Sequence, residues 1–391
     1  LSCTSLPFKT RFCWALLIFV AANCYLNTVD RSKGIAPDTI REQLFDYAGT
    51  EESPKYLNGT ANVVLLGSSL FLHPEWAVDR KLPITEPWGK VTIVSESHYH
   101  LAQGLGNELA RAGFQDPYVY NLAAGGALIS DSYLLLFHYL KNHPKPAVVV
   151  LDCAPRSFSD TGVTEANATP IFDYCFQLQD FPELHSTYLR SRDAKANYFL
   201  AKLFFTYHHR KWLCESSENW LLQRLTEGIE TLPSRSTAGA TAVLASGGEK
   251  VPLAAETEAA LRMKKSLHEY RDRYLCISRE RLEPQLRYLK RIEDLCAEKQ
   301  IKLIVVNMPL SKQNRELLSA GFYSDFRADV AKSLGARAVF IDLASSDDWP
   351  ASLYHDSVHL NDQGGARLNQ VIADAITRGS WQAHSITTVN Q

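Results

Sequence analysis

Short, uninterrupted apolar runs recur along the chain, separated by longer segments with apolar positions at helical spacing. The runs at 61–66 (ANVVLL), 147–151 (AVVVL), 301–307 (IKLIVVN) and 338–343 (AVFIDL) are rich in β-branched residues and show no polar alternation. Such runs mark strands buried on both faces. Residues 118–122 predict one more strand, while 98–112, 129–141 and 363–377 predict helices between or after the strands. Strands alternating with helices of this length need crossover connections, and so a parallel sheet covered on both sides. The expected fold class is α/β.

Two regions break the alternation. From 161 to 300 the chain carries aromatic-rich segments such as NYFLAKLFFTYHHRKWL at 197–213, which predict a helical insertion. This region also holds a small-residue stretch at 234–248 that reads as a surface loop and a strongly helical stretch at 254–300, expected to break near Pro284. At the N-terminus, Lys9 and Arg11 precede 18 uncharged residues, 12–29. As a helix these would reach roughly 27 Å at ~1.5 Å per residue, close to a bilayer core. A membrane anchor or a cleaved signal segment is expected there, with the remaining chain extracytoplasmic, periplasmic or extracellular. The expected division is 1–30 anchor or signal, 31–60 linker with a short helix at 40–47, 61–160 first part of the core, 161–300 insertion, and 301–391 second part of the core.

Composition narrows the function classes. Lys and Arg number 41 against 43 Asp and Glu, a formal net charge of −2, which gives no electrostatic footprint for nucleic acid. The eight cysteines form no CxxC pair, so neither a zinc site nor a disulfide framework is expected. His98 and His100 lack a third ligand at useful spacing, and no metal or cofactor is expected.

Gly67-Ser68-Ser69-Leu70 follows the first strand directly, placing its hydroxyls at the carboxyl end of a parallel strand, where open α/β sheets bind ligands. Near the C-terminus, HDSVHLNDQGG places Asp356 three residues before His359, just after the last strand and ahead of the last helix. Alone, the first motif is also an ordinary strand-to-helix turn and the second an ordinary loop and cap. Together they supply a nucleophile (Ser69), a base (His359) and a carboxylate that orients the base (Asp356).

These blocks resemble the SGNH (GDSL-like) hydrolase superfamily over about 61–152 and 301–378. VVLLGSSLF is similar to its first block, with Ser68 where Asp is usual and Ser69 as nucleophile. NLAAGG at 121–126 is similar to its second, whose glycine lends an oxyanion-hole N–H, pointing to Gly126. DSVHLN is similar to the last. The third block departs: Asp152-Cys153-Ala154-Pro155-Arg156 stands where Gly-x-Asn-Asp is usual, so the oxyanion amide is missing at Ala154. Arg156 is a candidate to donate to the oxyanion or to hold an anionic substrate group, with a purely structural role as the alternative. The resemblance implies a flavodoxin-like three-layer α/β/α sandwich. Pro-Arg in the third block, Asn307 to Leu310 (NMPL) and the N-terminal segment look like a narrower group: exported proteins that work beside membrane-bound O-acyltransferases, such as the D-alanyl transfer protein and alginate acetylation proteins. This implies a serine esterase or O-acyltransferase passing an acyl group from an acyl donor to a glycan or lipid acceptor, with a membrane-bound O-acyltransferase as partner. The rival reading is a non-catalytic scaffold of such a complex.

Overall fold

A computed structural model describes residues 8–33, 62–82, 101–159, 169–209, 213–214, 255–275, 277–344, 346 and 348–378. The chain forms two compact units, one of residues 1–38 with 176–254, the other of 39–175 with 255–391.

The second unit is built on five parallel strands, β1 (Val63–Leu66), β2 (Val119–Asn121), β3 (Val148–Cys153), β4 (Lys302–Asn307) and β5 (Val339–Asp342), in the order β2-β1-β3-β4-β5. That is the order of flavodoxin-like doubly wound sheets. Register is set by Val63 opposite Val119 and Val148, Val148 opposite Lys302, and Ile304 opposite Val339. Alternate strand residues serve opposite faces. Val63, Leu65, Val148, Val150, Ile304 and Val306 join one core cluster with Leu105, Leu368 and Ile372. This is the face of α2 (Ser69–Asp79), α3 (Gln103–Arg111) and, at the end of the chain, α9 (Asp362–Arg378), which pack on one another. On the other face α4 (Ile129–Asn142) packs against α7 (Arg279–Lys299), which also meets α8 (Ala320–Lys332) and β4. Burial on both faces explains why the strands read as continuous apolar runs.

Details depart from expectation. α3 starts at Gln103, not at 98, because the Asp79 carboxylate accepts the N–H groups of Gln103 and Gly104, both at 2.6 Å, and fixes the helix start. The break expected at Pro284 falls earlier, between α6 (Ala255–Tyr274) and α7, while Pro284 lies inside α7. Pro284 is the sixth residue of α7, so the bond that an N–H there would make to the Glu280 carbonyl is lost, yet the helix continues through it. α6 and α7 belong to the α/β unit, so the expected insertion over 161–300 is divided between the two units.

In the first unit, α1 (Phe8–Lys33) packs against residues 205–208 and against α5 (Arg192–Leu203). Asn23 Oδ1 accepts the Thr206 N–H at 3.0 Å and its hydroxyl at 2.7 Å. The anchor expected here is not supported: among the described residues no helix is long and apolar enough to cross a membrane. Asn23, Tyr25 and Asn27 interrupt the apolar run. The helix at 40–47, His98, His100 and the loop at 234–248 lie outside the described residues. The described cysteines at 13, 24, 153 and 296 are free thiols.

Candidate active site

The chain leaves β1 toward β2 on one side and reaches β3 on the other, which makes the carboxyl ends of β1 and β3 the switch point of the sheet. Ser69 stands there as the first residue of α2. Gly67 has φ +145°, and a Cβ on it would come within 2.2 Å of Asp152 Cγ at the end of β3. Glycine is therefore required for the turn to pass over the carboxylate. Ser68 is buried and caps α2: its Oγ accepts the Leu70 N–H at 3.3 Å, and its N–H and Oγ both donate to Asp152 Oδ2, at 2.7 and 3.2 Å. The Ser69 N–H, first of the helix, has no acceptor within it.

The loop between β5 and α9 closes on itself, with His355 N–H donating to His359 O at 2.8 Å and a bridge pairing Tyr354 with Leu360. This brings Asp356 under the His359 ring. Asp356 Oδ2 lies 2.8 Å from His359 Nδ1, and His359 Nε2 lies 2.9 Å from Ser69 Oγ. Asp356 Oδ1 accepts the N–H groups of Val358 and His359, each at 2.9 Å. Burial raises the Asp356 carboxyl, but the His359 ring and these backbone donors outweigh it and hold it down at about 2. A carboxylate kept ionised selects the tautomer with hydrogen on Nδ1, which leaves Nε2 free to accept the Ser69 proton.

Ser69, Asp356, His359, Gly126 and Arg156 line one open cleft of about 240 Å³. Gly126 has φ +80°, and its carbonyl accepts from Arg156 Nη2 at 3.1 Å. Arg156 is buried in the short helix Pro155–Phe158. It thereby pins the Gly125–Gly126 turn at the cleft and supports the charge of Asp152.

Several residues to which the sequence assigned no role also shape the site. Asp152 is fully buried beneath the serine turn, and burial lifts its carboxyl to about 7 against the lowering pull of Ser68 and Arg156. Ser266 on α6 holds the histidine loop, its Oγ 2.6 Å from Ser357 Oγ, and Asn314 Nδ2 donates to the same hydroxyl at 3.2 Å. His73 packs its ring 4.8 Å from His355 and 5.3 Å from His359. α6 also brings Arg262, Lys265, Glu269, Tyr270 and Arg273 to the cleft. Their spacing of three, seven, eight and eleven residues from Arg262, with Ser266 at four, marks one helix face and was the available clue.

A hydrogen-bonded serine, histidine and aspartate at the switch point of a five-stranded parallel sheet define a triad-bearing α/β protein. The chain belongs to the family described as protein of unknown function (DUF1574), which matches residues 95–364. That span contains the Asp356–His359 loop and α6, while Ser69 lies ahead of it. No curated protein matches the chain.

Proposed function

We infer that the protein is a serine esterase or O-acyltransferase of SGNH type, working through an acyl-Ser69 intermediate. One observation carries the reading: the continuous hydrogen-bond chain from Ser69 Oγ through His359 to Asp356, set in an open cleft. In the proposed reaction Ser69 Oγ attacks the ester carbonyl carbon as His359 Nε2 takes its proton. The tetrahedral oxyanion is assigned to the Ser69 N–H, at the positive end of α2, and to the Gly126 N–H across the cleft. Its collapse breaks the bond to the leaving alcohol, which receives the proton from His359. Water or the hydroxyl of a glycan or lipid acceptor, deprotonated by His359, then releases the acyl group and restores Ser69.

The proposed location is extracytoplasmic, at a membrane surface. It is supported by Lys9 and Arg11 ahead of an apolar stretch whose Phe12, Trp14, Leu17 and Ile18 are each more than half exposed on α1. A membrane-bound O-acyltransferase is the partner proposed on the resemblance. Flotation of the full chain with lipid vesicles tests the location: α1 with Trp14→Glu and Ile18→Glu should lose binding that the natural chain has.

The deciding experiment is labelling with a fluorophosphonate probe followed by peptide mass mapping. A covalent adduct on Ser69 is expected. An unlabelled Ser69 in the folded protein would overturn the reading in favour of a non-catalytic scaffold.

A further inference from the structure

We propose that Tyr270 on α6 is a further catalytic residue, whose hydroxyl donates to the oxyanion formed at Ser69 in place of the amide missing at Ala154. The assignment rests on the acyl-serine reading for the reaction and on separate observations for the donor.

The third sequence block is where a donor is wanting. Ala154 has no side-chain N–H to offer. Arg156, the residue nearby that could replace it, is directed to the neighbouring turn: its Nη2 donates to the Gly126 carbonyl at 3.1 Å, and its charge acts on the buried Asp152 and Asp131. The guanidinium is thus committed to the wall of the cleft, and the side-chain donor that the resemblance implies has still to come from elsewhere.

Tyr270 meets that need. It lines the same cleft as Ser69 and His359, yet it is only 7 % exposed. Burial and four charged groups act on its hydroxyl, but no hydrogen bond among the described residues does. All four groups, Arg156, Arg273, Asp356 and Glu269, line the cleft, which places the phenol oxygen there as well. The strongest of them is Arg156, which holds Gly126, so the oxygen stands toward the oxyanion side of the cleft rather than toward Asp356. Burial pushes the hydroxyl up to about 12 against the lowering pull of Arg156 and Arg273, so at neutral pH it keeps the proton that a donor needs. A phenylalanine would pack in this position equally well. A hydroxyl buried without a partner is costly, and a ligand oxygen entering the cleft supplies that partner.

The donor is also held still. The Tyr270 ring packs edge-on against Tyr274 at 5.6 Å, and the Tyr274 hydroxyl donates to Asn314 Oδ1 at 2.9 Å. Asn314 Nδ2 donates in turn to Ser357 Oγ, in the loop that carries His359. Base and donor are therefore tied to one network, as preorganised stabilisation requires. When the bond from Ser69 Oγ to the carbonyl carbon forms, the π electrons move onto oxygen and the phenol hydrogen bond strengthens. On collapse they re-form the double bond, and the alcohol leaves with the proton from His359. Tyr270 keeps its own proton throughout.

The test is steady-state hydrolysis of p-nitrophenyl acetate by the full chain and by Tyr270→Phe, with fluorophosphonate labelling of Ser69 alongside. Tyr270→Phe should lower kcat by about a hundredfold with KM nearly unchanged, and should slow labelling. Its denaturation midpoint should match that of the natural chain, because no hydrogen bond within the protein is lost. In a crystal structure of the phosphonylated protein, the Tyr270 hydroxyl should lie within ~3.0 Å of the phosphonyl oxygen. If the natural chain labels and Tyr270→Phe labels and turns over equally fast, or differs only in KM, the assignment falls and the esterase reading stands. A phosphonylated structure with the hydroxyl turned away from that oxygen overturns the assignment whatever the kinetics. If Ser69 of the folded natural chain takes no label, the esterase reading falls and this assignment falls with it.

Discussion

Two adjacent serines compete for one role, and their partners separate them. Ser68 Oγ is occupied by Asp152 and the Leu70 N–H, whereas Ser69 Oγ meets His359 Nε2 at 2.9 Å. Ser69→Ala should abolish fluorophosphonate labelling. Ser68→Ala should retain it while lowering stability by about 1 kcal/mol, the usual loss for an N-cap, seen as a shifted denaturation midpoint. Labelling lost only in Ser68→Ala would reverse the register. His359→Ala should reduce ester turnover by on the order of 10⁴ or more, and Asp356→Asn comparably, because the amide permits the wrong imidazole tautomer. Near-natural turnover in either variant would remove the triad from the mechanism. This part of the site was legible in the sequence because Asp356 and His359 come from one loop and Ser69 from one turn, so local spacing carried the geometry. Arg156 was singled out, and it does reach the cleft. Its bond to the Gly126 carbonyl is visible only once β2 and β3 flank β1.

At the scale of elements, the turn from β1 into α2 depends on a residue with no side chain. Gly67 combines a φ of +145° with an approach to Asp152 that leaves no room for a methyl group. Gly67→Ala should destabilise the protein by about 2–4 kcal/mol, the sum of backbone strain and steric overlap, and should weaken Ser69 labelling as the turn shifts. Equal midpoints for the variant and the natural protein in chemical denaturation would refute the close approach. The strands themselves were readable, since burial on both faces wrote them as unbroken apolar runs. α6 was not assigned to the site for the opposite reason. Its cleft face carries Arg262, Lys265 and Arg273, which in isolation read as the solvated side of a surface helix. Only packing beside the loop at 355–359, through Ser266 and Ser357, turns that face toward Ser69. Pro284 misled because α7 continues through the proline despite the lost hydrogen bond, and the chain instead breaks where α6 ends at Tyr274.

For the whole molecule, the buried carboxyls set how stability responds to pH. Burial raises Asp152 to about 7 and Asp131 to about 6, and lifts Glu75 well above its usual range. An acid whose folded value exceeds its unfolded value near 4 binds its proton more tightly when folded. Its contribution is complete below about pH 4 and is lost as pH rises through the folded value. Asp356, held down at about 2, acts in reverse: its contribution is present above about pH 4 and is lost as pH falls toward 2. His143 and His355, lowered by burial, oppose folding only where the free imidazole would be charged, below about pH 6.5, and both are partly exposed, so they count for less. The opposing signs place the stability maximum on the acid side of neutrality. The protein should be more stable at pH 5 than at pH 8 by on the order of 2–4 kcal/mol, and Asp152→Asn should remove the larger part of that difference. Denaturant midpoints measured across pH for both proteins check this. A natural chain that is equally or more stable at pH 8, or an Asp152→Asn variant with an unchanged pH slope, would show that the carboxylate beneath the serine turn is not the group that holds the proton.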